Sequence, residues 1–176
     1  MKPKVIAVVG GKKVGKTTTT ENLIAEFTKR GYRVAAIKHI SEAEWTIDTP
    51  GKDTYRFGQK GANPVIVLAP KETVTIEKGA TEKTTLAALL KKARGTDIVL
   101  TEGFKRTVAK KTSVPKIAVV TTKEQAELAQ KTYNPILAFS GPYNTHELFP
   151  ATPYINGLIE PGKLADLAEE KILKNK

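Results

Sequence analysis

The stretch VVGGKKVGKTTTTENL near the start of the chain constrains the fold more than any other feature. An apolar run leads into a loop with Gly10, Gly11 and Gly15, and four threonines follow. The segment Gly10-x4-Gly15-Lys16-Thr17 fits the phosphate-binding loop pattern, which lies between a strand and a helix. Glycines suit such a loop because its backbone N–H groups turn inward around an anion, at positive φ angles that a Cβ disfavours. The stretch therefore predicts a strand, a phosphate-binding loop and a helix.

Each residue type in the loop has an expected role. Lys16 would reach the β- and γ-phosphates as a point charge, the Thr17 hydroxyl would ligate Mg²⁺, and Thr18 would contact the α-phosphate. The free N–H groups and the positive dipole end of the following helix also favour an anion. The residues expected at a bound nucleotide are Gly10, Gly11, Lys12, Lys13, Val14, Gly15, Lys16, Thr17 and Thr18.

A nucleoside triphosphate also needs an acid that organises the metal, placed at the end of a neighbouring strand. The segment DIVLTEG has Asp97 before its apolar run and Glu102 after it, about 16 Å apart at roughly 3.3 Å per residue. Only Glu102 is expected at the phosphate end, followed by Gly103. The alternative is a solvated carboxylate before a turn glycine.

Apolar runs and amphipathic segments alternate along the chain, which indicates an α/β fold. Strands of nearly continuous Val, Ile, Leu and Ala are typical of a mostly parallel open sheet covered by helices on both faces, here of the P-loop NTPase type. We expect one domain over residues 1–176, with a possible antiparallel hairpin. The predicted strands are 4–9, 33–38, 98–101, 116–121 and 135–139, the hairpin strands 64–69 and 73–77; the predicted helices are 16–29, one capped by Thr81, 123–131 and 161–174.

Composition excludes several classes of protein. The chain has no cysteine, which excludes disulfides and thiolate chemistry and favours a reducing cytoplasm. Its first apolar run, Val5 to Val9, is too short for a signal peptide or a membrane span, so we expect no membrane association. The net charge is +11, but the lysines are scattered and no helix carries a basic stripe with aromatics. We therefore favour a lysine-rich surface over a nucleic-acid partner.

Further segments, in order, carry a resemblance to a known family. They are IKH (37–39), DTPGKDTYRFGQKGA (48–62), DIVLTEGFK (97–105) and PKIAVV (115–120), behind GGKKVGKTT. The chain resembles the MobB family of molybdopterin-guanine dinucleotide biosynthesis adapter proteins over residues 4 to about 122. The resemblance implies a homodimer that binds GTP and Mg²⁺, hydrolyses GTP slowly at most, and assists the guanylyltransferase that joins GMP to molybdopterin. It implies molybdopterin or its guanine dinucleotide form as a bound substrate or product.

The resemblance also implies site residues. It transfers to the loop glycines, Lys16, Thr17 and Thr18 for phosphate and Mg²⁺, and to Glu102 and Gly103 as the second nucleotide motif. It transfers more loosely to His39, Asp48, Asp53 and Arg56.

The long polar stretch 39–62 has two interpretations. It would leave the second strand beside the phosphate loop as a switch-like segment, with Asp48 or Asp53 orienting water as catalytic candidates. Alternatively, Asp53 and Thr54 merely start a short helix that packs on the sheet. Trp45 either covers an apolar patch or stacks on a base.

Guanine selectivity is not evident in the residues. Many GTPases read the base with an Asn/Thr-Lys-x-Asp loop after a late strand, and VVTTKEQ has Gln125 where the acid would stand. A neutral amide satisfies only one of the two guanine donors well. GTP binding is therefore implied by the resemblance alone.

Three functions remain open. The first is the GTP-binding adapter, and the second is a small-molecule or nucleotide kinase, for which an arginine-rich lid would be needed. The five arginines do not cluster after Gly141, in the loop or flap from Ser140 to Gly157, where such a lid would lie. Their positions argue against the kinase. The third is a nucleic-acid-binding module, which predicts steeply salt-dependent binding.

Overall fold

The computed structural model describes residues 2–79 and 84–174, so the predicted cap Thr81 lies outside the described residues. Two compact units form: one comprises Met1–His39 and Leu86–Lys176, and the other comprises Ile40–Thr85. The strands are β1 (Lys4–Gly10), β2 (Val34–Lys38), β3 (Val65–Leu68), β4 (Thr73–Ile76), β5 (Ile98–Glu102), β6 (Lys116–Val119) and β7 (Ile136–Ser140). The helices are α1 (Lys16–Lys29), α2 (Asp53–Gln59), α3 (Leu86–Lys92), α4 (Lys105–Val108), α5 (Lys123–Thr132) and α6 (Pro161–Ala168).

The first unit is built on a parallel five-stranded sheet in the order β2-β5-β1-β6-β7. Strand β1 lies at its centre, and both of its faces are covered. Ile6 and Val8 pack into one buried cluster, whereas Ala7 and Val9 pack into another. The continuous apolar run of β1 follows from this two-sided burial. The predicted α/β fold with a mostly parallel sheet is confirmed.

Helices from different parts of the chain cover the two faces. Leu23 and Phe27 of α1 and Leu164 of α6 join the cluster that contains Ile6 and Val8. The second cluster, with Ala7 and Val9, receives residues of α3, α5 and the end of α4: Leu86, Val108, Ala126 and Ala129. Side chains at helical spacing thus close both faces of the sheet.

Parallel strands bring all their carboxyl ends to one edge of the sheet. Cα pairing places Glu102 beside Val8 in β1 and beside Lys38 in β2, while Gly10 is paired with Val119 of β6. Ligands in open α/β sheets bind at this edge. It is the edge at which the candidate site lies.

The second unit contains the predicted hairpin, in which β3 and β4 pair antiparallel from Val65↔Ile76 to Leu68↔Thr73. It also contains α2, so the stretch after β2 is not loop throughout. Asp53 is the first residue of α2, as the helix-start interpretation predicted.

The last helix is shorter than predicted. α6 ends at Ala168, and a π-helical segment, Glu169–Leu173, continues from it. Arg30, after α1, forms ion pairs with Asp166 at 2.8 Å and with Glu169 at 3.2 Å. These ion pairs join α6 and the π-helical segment to the end of α1. Among the helices of residues 2–79 and 84–174, none has the length and apolarity needed to cross a membrane.

Candidate functional site

The predicted phosphate-binding loop forms a tight connection between β1 and α1. Gly15 has φ of 95° and occupies the cap position of α1. Gly10 has φ of 149°, and a Cβ there would lie 2.4 Å from the Val119 carbonyl oxygen. Val14 is buried in the core between them and anchors the loop. Glycine is therefore required at both ends of this loop by backbone angle and by close approach.

The four threonines have two different roles. Thr19 and Thr20 are buried, and their hydroxyls donate to the carbonyl oxygens of Gly15 at 3.0 Å and Lys16 at 2.9 Å. Thr17 and Thr18 are exposed instead. They line a cavity of about 240 Å³ together with Lys13, Val14, Gly15 and Lys16.

The start of α1 offers backbone donors to this cavity. Within the described ranges, no acceptor bonds to the N–H groups of Lys16, Thr17 and Thr18, whereas the N–H of Thr19 donates to Gly15. Free N–H groups at the positive end of a helix dipole bind anions. The geometry of the loop thus fits a phosphate group.

Lys16 is half-buried at this cavity and its ammonium donates to the Gly11 carbonyl oxygen. Burial lowers the pKa of Lys16, the nearby cations Lys105 and Lys38 lower it further, and Glu102 opposes them. The site therefore has a positive potential that an anion would relieve.

Glu102 lies at the mouth of the loop, as predicted. Both of its carboxylate oxygens are 3.2 Å from the Thr17 hydroxyl oxygen, and Lys38 Nζ is 3.6 Å from one of them. A hydroxyl and a carboxylate are the hard oxygen donors that Mg²⁺ prefers, with phosphate and water completing its shell. In residues 2–79 and 84–174, no three His, Asp or Glu side chains gather as a metal cluster. The residues fit Mg²⁺ held jointly with a phosphate.

The acid that directly precedes β5, Asp97, lies at the opposite end of this strand. Asp97 accepts from the Arg33 side chain at 2.8 and 3.1 Å and from the Arg33 backbone N–H at 2.8 Å. These bonds hold the pKa of the Asp97 carboxyl at about 2. Asp97 is therefore paired within the protein.

Gly103 and His39 meet directly after their strands. The His39 N–H donates to the Glu102 carbonyl oxygen at 2.9 Å, and the His39 ring lies 5.2 Å from the Phe104 ring. Gly103 has φ of 90° and turns the chain against His39. These contacts fix the course of the chain directly after Glu102, the last residue of β5.

The two catalytic candidates belong to the second unit. Asp48 is buried, and its oxygens accept from Thr54 Oγ1 at 2.7 Å and from Lys78 Nζ at 2.8 Å. The hydrogen bond from Lys78, and then that from Thr54, lower the pKa of Asp48. Asp53 is exposed and forms an ion pair with Arg56 at 3.3 Å. Both have partners inside this unit, and a role in orienting water stays a prediction.

Gln125 faces the loop rather than open solvent. Its Oε1 accepts from the Thr121 N–H at 3.0 Å and from the Thr121 hydroxyl at 3.1 Å. Its Nε2 lies 3.8 Å from the position that a Cβ on Gly11 would occupy. The remaining hydrogen-bonding group is a donor, whereas guanine N1 and N2 require acceptors. Gln125 in this orientation does not read guanine.

Comparison with known proteins shows the family of this chain. The profile of the family described as "Molybdopterin guanine dinucleotide synthesis protein B", MobB, matches residues 5–140. The chain belongs to the MobB family. It is 32% identical over 125 residues to a putative molybdopterin-guanine dinucleotide biosynthesis adapter protein of Methanocaldococcus jannaschii, covering 71% of this chain and 50% of that protein. It is 31% identical to a probable adapter protein of the same description from Bacillus subtilis, over 72% of this chain and 70% of that one.

The chain thus spans about half the length of the Methanocaldococcus relative. Solved structures share the fold. The crystal structure of Bacillus subtilis MobB has a TM-score of 0.74 at 23% identity, covering 98% of this chain and 99% of that one. A crystal structure of molybdopterin-guanine biosynthesis protein B has a TM-score of 0.70 at 20% identity, covering 94% and 97%.

Several contacts of the site were missed by sequence reasoning. Leu158 covers the loop, because its side chain lies 3.3 Å from where a Cβ on Gly15 would be. The Asn22 amide donates to the Gly157 carbonyl oxygen at 3.0 Å. Neither carries a sequence signal, since each joins segments more than a hundred residues apart. The pair Lys38 and Glu102 had a signal: both end strands at the same edge.

Proposed function

We propose that this MobB-family chain binds a nucleoside triphosphate with Mg²⁺, GTP in preference to ATP, and works as an adapter in molybdenum cofactor biosynthesis. There it would assist the guanylyltransferase that forms molybdopterin guanine dinucleotide. The curated relatives carry this adapter description, and the family profile covers most of the chain. We expect it to work in the cytoplasm, with molybdopterin or its guanine dinucleotide form as a bound substrate or product.

One observation carries the nucleotide part of the proposal. Glu102 and Thr17 lie 85 residues apart in sequence, yet the two side chains meet at 3.2 Å beside Lys16. A hydroxyl, a carboxylate and an ammonium group at the start of a helix form the constellation that holds a metal-bound triphosphate. The chemistry that Mg²⁺ supplies there is neutralisation of phosphate charge.

The acids of the second unit support an adapter role over rapid hydrolysis. Asp48 is neutralised by Lys78 and bonded by Thr54, which leaves its carboxylate engaged in its own unit. A carboxylate that acts as a general base must be free to accept a proton from the water it activates. We therefore expect GTP turnover to be slow without a partner.

We also propose a homodimer formed through the hairpin. Ile66 and Leu68 alternate along β3 and expose 66% and 84% of their surface. Along the described chain, β3 and β4 pair only with each other. An exposed strand edge with apolar side chains on one face suits pairing with a second copy across a two-fold axis.

The test is a calorimetric titration of the purified chain with GTP and with ATP, each with and without Mg²⁺. We expect Mg²⁺-dependent GTP binding, weaker ATP binding, and faster guanylyltransferase turnover when the chain is added. Equal binding of both nucleotides with transfer of phosphate to a small molecule would favour the kinase instead. Sedimentation of the same sample reports the oligomeric state.

A further inference from the structure

A second cavity lies beside the phosphate-binding loop. Its volume is about 360 Å³, and it lies between α4 and α5 over the ends of β1 and β6. The two cavities share no lining residue: the first is lined by residues 13–18, whereas this one begins at Gly10 and Gly11. The phosphate site therefore has a separate compartment at the strand end of its loop. A volume of this size is typical of small-molecule sites.

The walls of this cavity are apolar. Val120 and Ala129 are buried at its base, and Ala109, Leu128 and Tyr133 also line it. Leu128 exposes 66% of its surface and adds an apolar side chain to these walls. Such walls favour the flat face of a ring system.

The rim is polar and has one sign of charge. Lys105 and Arg106, at the start of α4, both line the cavity and are exposed. Within residues 2–79 and 84–174, no carboxylate pairs with either cation. The Gln125 amide adds a donor, because its Oε1 is already engaged by Thr121. A ligand here would meet donors and positive charge, which select an anionic substituent.

The position of the cavity relative to the triphosphate follows from the direction of the loop. In phosphate-binding loops the lysine reaches the β- and γ-phosphates, and the helix end faces the phosphates nearer the nucleoside. Gly10 and Gly11 lie at the other end, and the Lys16 ammonium contacts the Gly11 carbonyl oxygen. A molecule in the cavity would thus lie next to the terminal phosphate rather than at the base.

We propose that this cavity is a second ligand site, for a small molecule with a planar, largely apolar ring system and an anionic substituent. The ring would lie between α4 and α5, and the anion would meet Lys105 and Arg106. The proposal rests on the proposed function only for the identity of its neighbour, the nucleotide. The cavity itself is independent of it.

The test uses 2-naphthoate, a planar apolar ring system with one carboxylate, as a fluorescent probe, with the uncharged 2-naphthamide as its counterpart. We expect saturable binding of the carboxylate to the full chain, and about tenfold weaker binding of the amide. Arg106→Ala removes the rim charge and Ala109→Phe fills the cavity, and each should weaken probe binding about tenfold. Lys29→Ala removes an exposed cation of α1, on the other face of the sheet, and should have no effect.

The same variants are titrated with GTP, and circular dichroism checks that each is folded. Unchanged GTP affinity with weakened probe binding supports a second site. Loss of GTP affinity in Ala109→Phe or Arg106→Ala would assign the cavity to the nucleotide and overturn the proposal. So would absence of probe binding, or equal binding to Arg106→Ala and the parent chain. If the parent chain binds the probe but not GTP, the proposed function fails and the second site stands.

Discussion

The two edges of the parallel sheet differ in whether their charged side chains have partners inside the protein. At the amino edge, Asp97 is held by three hydrogen bonds from Arg33, and the buried Lys116 ammonium donates to the carbonyl oxygens of Lys111 at 2.8 Å and Asn134 at 2.6 Å. At the carboxyl edge, Lys16 and Lys38 share one carboxylate, Glu102. The amino edge is satisfied internally, whereas the carboxyl edge leaves positive charge for a ligand.

This difference follows from the geometry of the fold. Helix α1 starts at the carboxyl edge, so its free N–H groups and dipole add to the positive potential there. The same residue types are structural at one edge and available for binding at the other. Four experiments test the contrast.

The largest effect is expected for Lys16→Ala. Removing the ammonium should weaken triphosphate binding about 100-fold, about 3 kcal/mol, because a charged contact to phosphate is lost. The thermal unfolding midpoint should change little, since Lys16 is only half-buried. Calorimetry and thermal denaturation measure both, with Lys29→Ala as the control. Retained affinity in Lys16→Ala would contradict the site.

Glu102→Gln distinguishes the contribution of Mg²⁺ to nucleotide binding from that of the direct phosphate contacts. With Mg²⁺ we expect about tenfold weaker nucleotide binding, since a charged ligand of the metal becomes neutral. Without Mg²⁺ binding should be unchanged or tighter, because a negative charge near the phosphates is removed. Asp97→Asn is the matched control, directly before the same strand, and should change neither value. Equal changes in nucleotide affinity for the two substitutions would contradict the difference between the two edges.

The free energy of unfolding at acid pH should depend on Asp97, at the amino edge of the sheet. The hydrogen bonds from Arg33 lower the pKa of Asp97 from 3.8 to about 2. A depressed carboxyl pKa stabilises the folded state above about pH 4, and this contribution is lost as the pH falls toward 2. Asp97→Asn should therefore flatten the loss of stability between pH 4 and 2 in urea titrations. Equal slopes for the parent chain and Asp97→Asn between pH 4 and 2 would contradict this prediction.

A fourth effect is expected in alkaline solution. Burial, and then the nearby Lys110, lower the pKa of Lys116 from 10.5 to about 8. Between those pH values the unfolded chain binds the proton and the folded chain does not, so the free energy of unfolding should rise with pH. Lys116→Met should remove that rise. A parent chain whose stability falls from pH 8 to 10 would show that the Lys116 carbonyl contacts need the charged form.

Patterns local in sequence predicted much of this molecule. Helix α1 was placed at residues 16–29, and all strands of the sheet were found to within two residues at either end. No pattern in the sequence predicts the short α4, since a four-residue helix has too few positions to show a period. The exposure of Ile66 and Leu68 on β3 is not predicted by the sequence either.

The sequence by itself determined the parallel α/β fold, the glycine-rich loop between β1 and α1, and the place of Glu102 at the carboxyl end of β5. Those features depend on residue type and spacing within a few dozen positions, because hydrophobic period and glycine backbone angles act locally. Only the tertiary structure decided that Thr17 meets Glu102, that Asp48 is paired with Lys78, that Gln125 presents a donor, and that a cavity opens at Gly10 and Gly11. These depend on strand order and on contacts between distant segments, which no local pattern encodes.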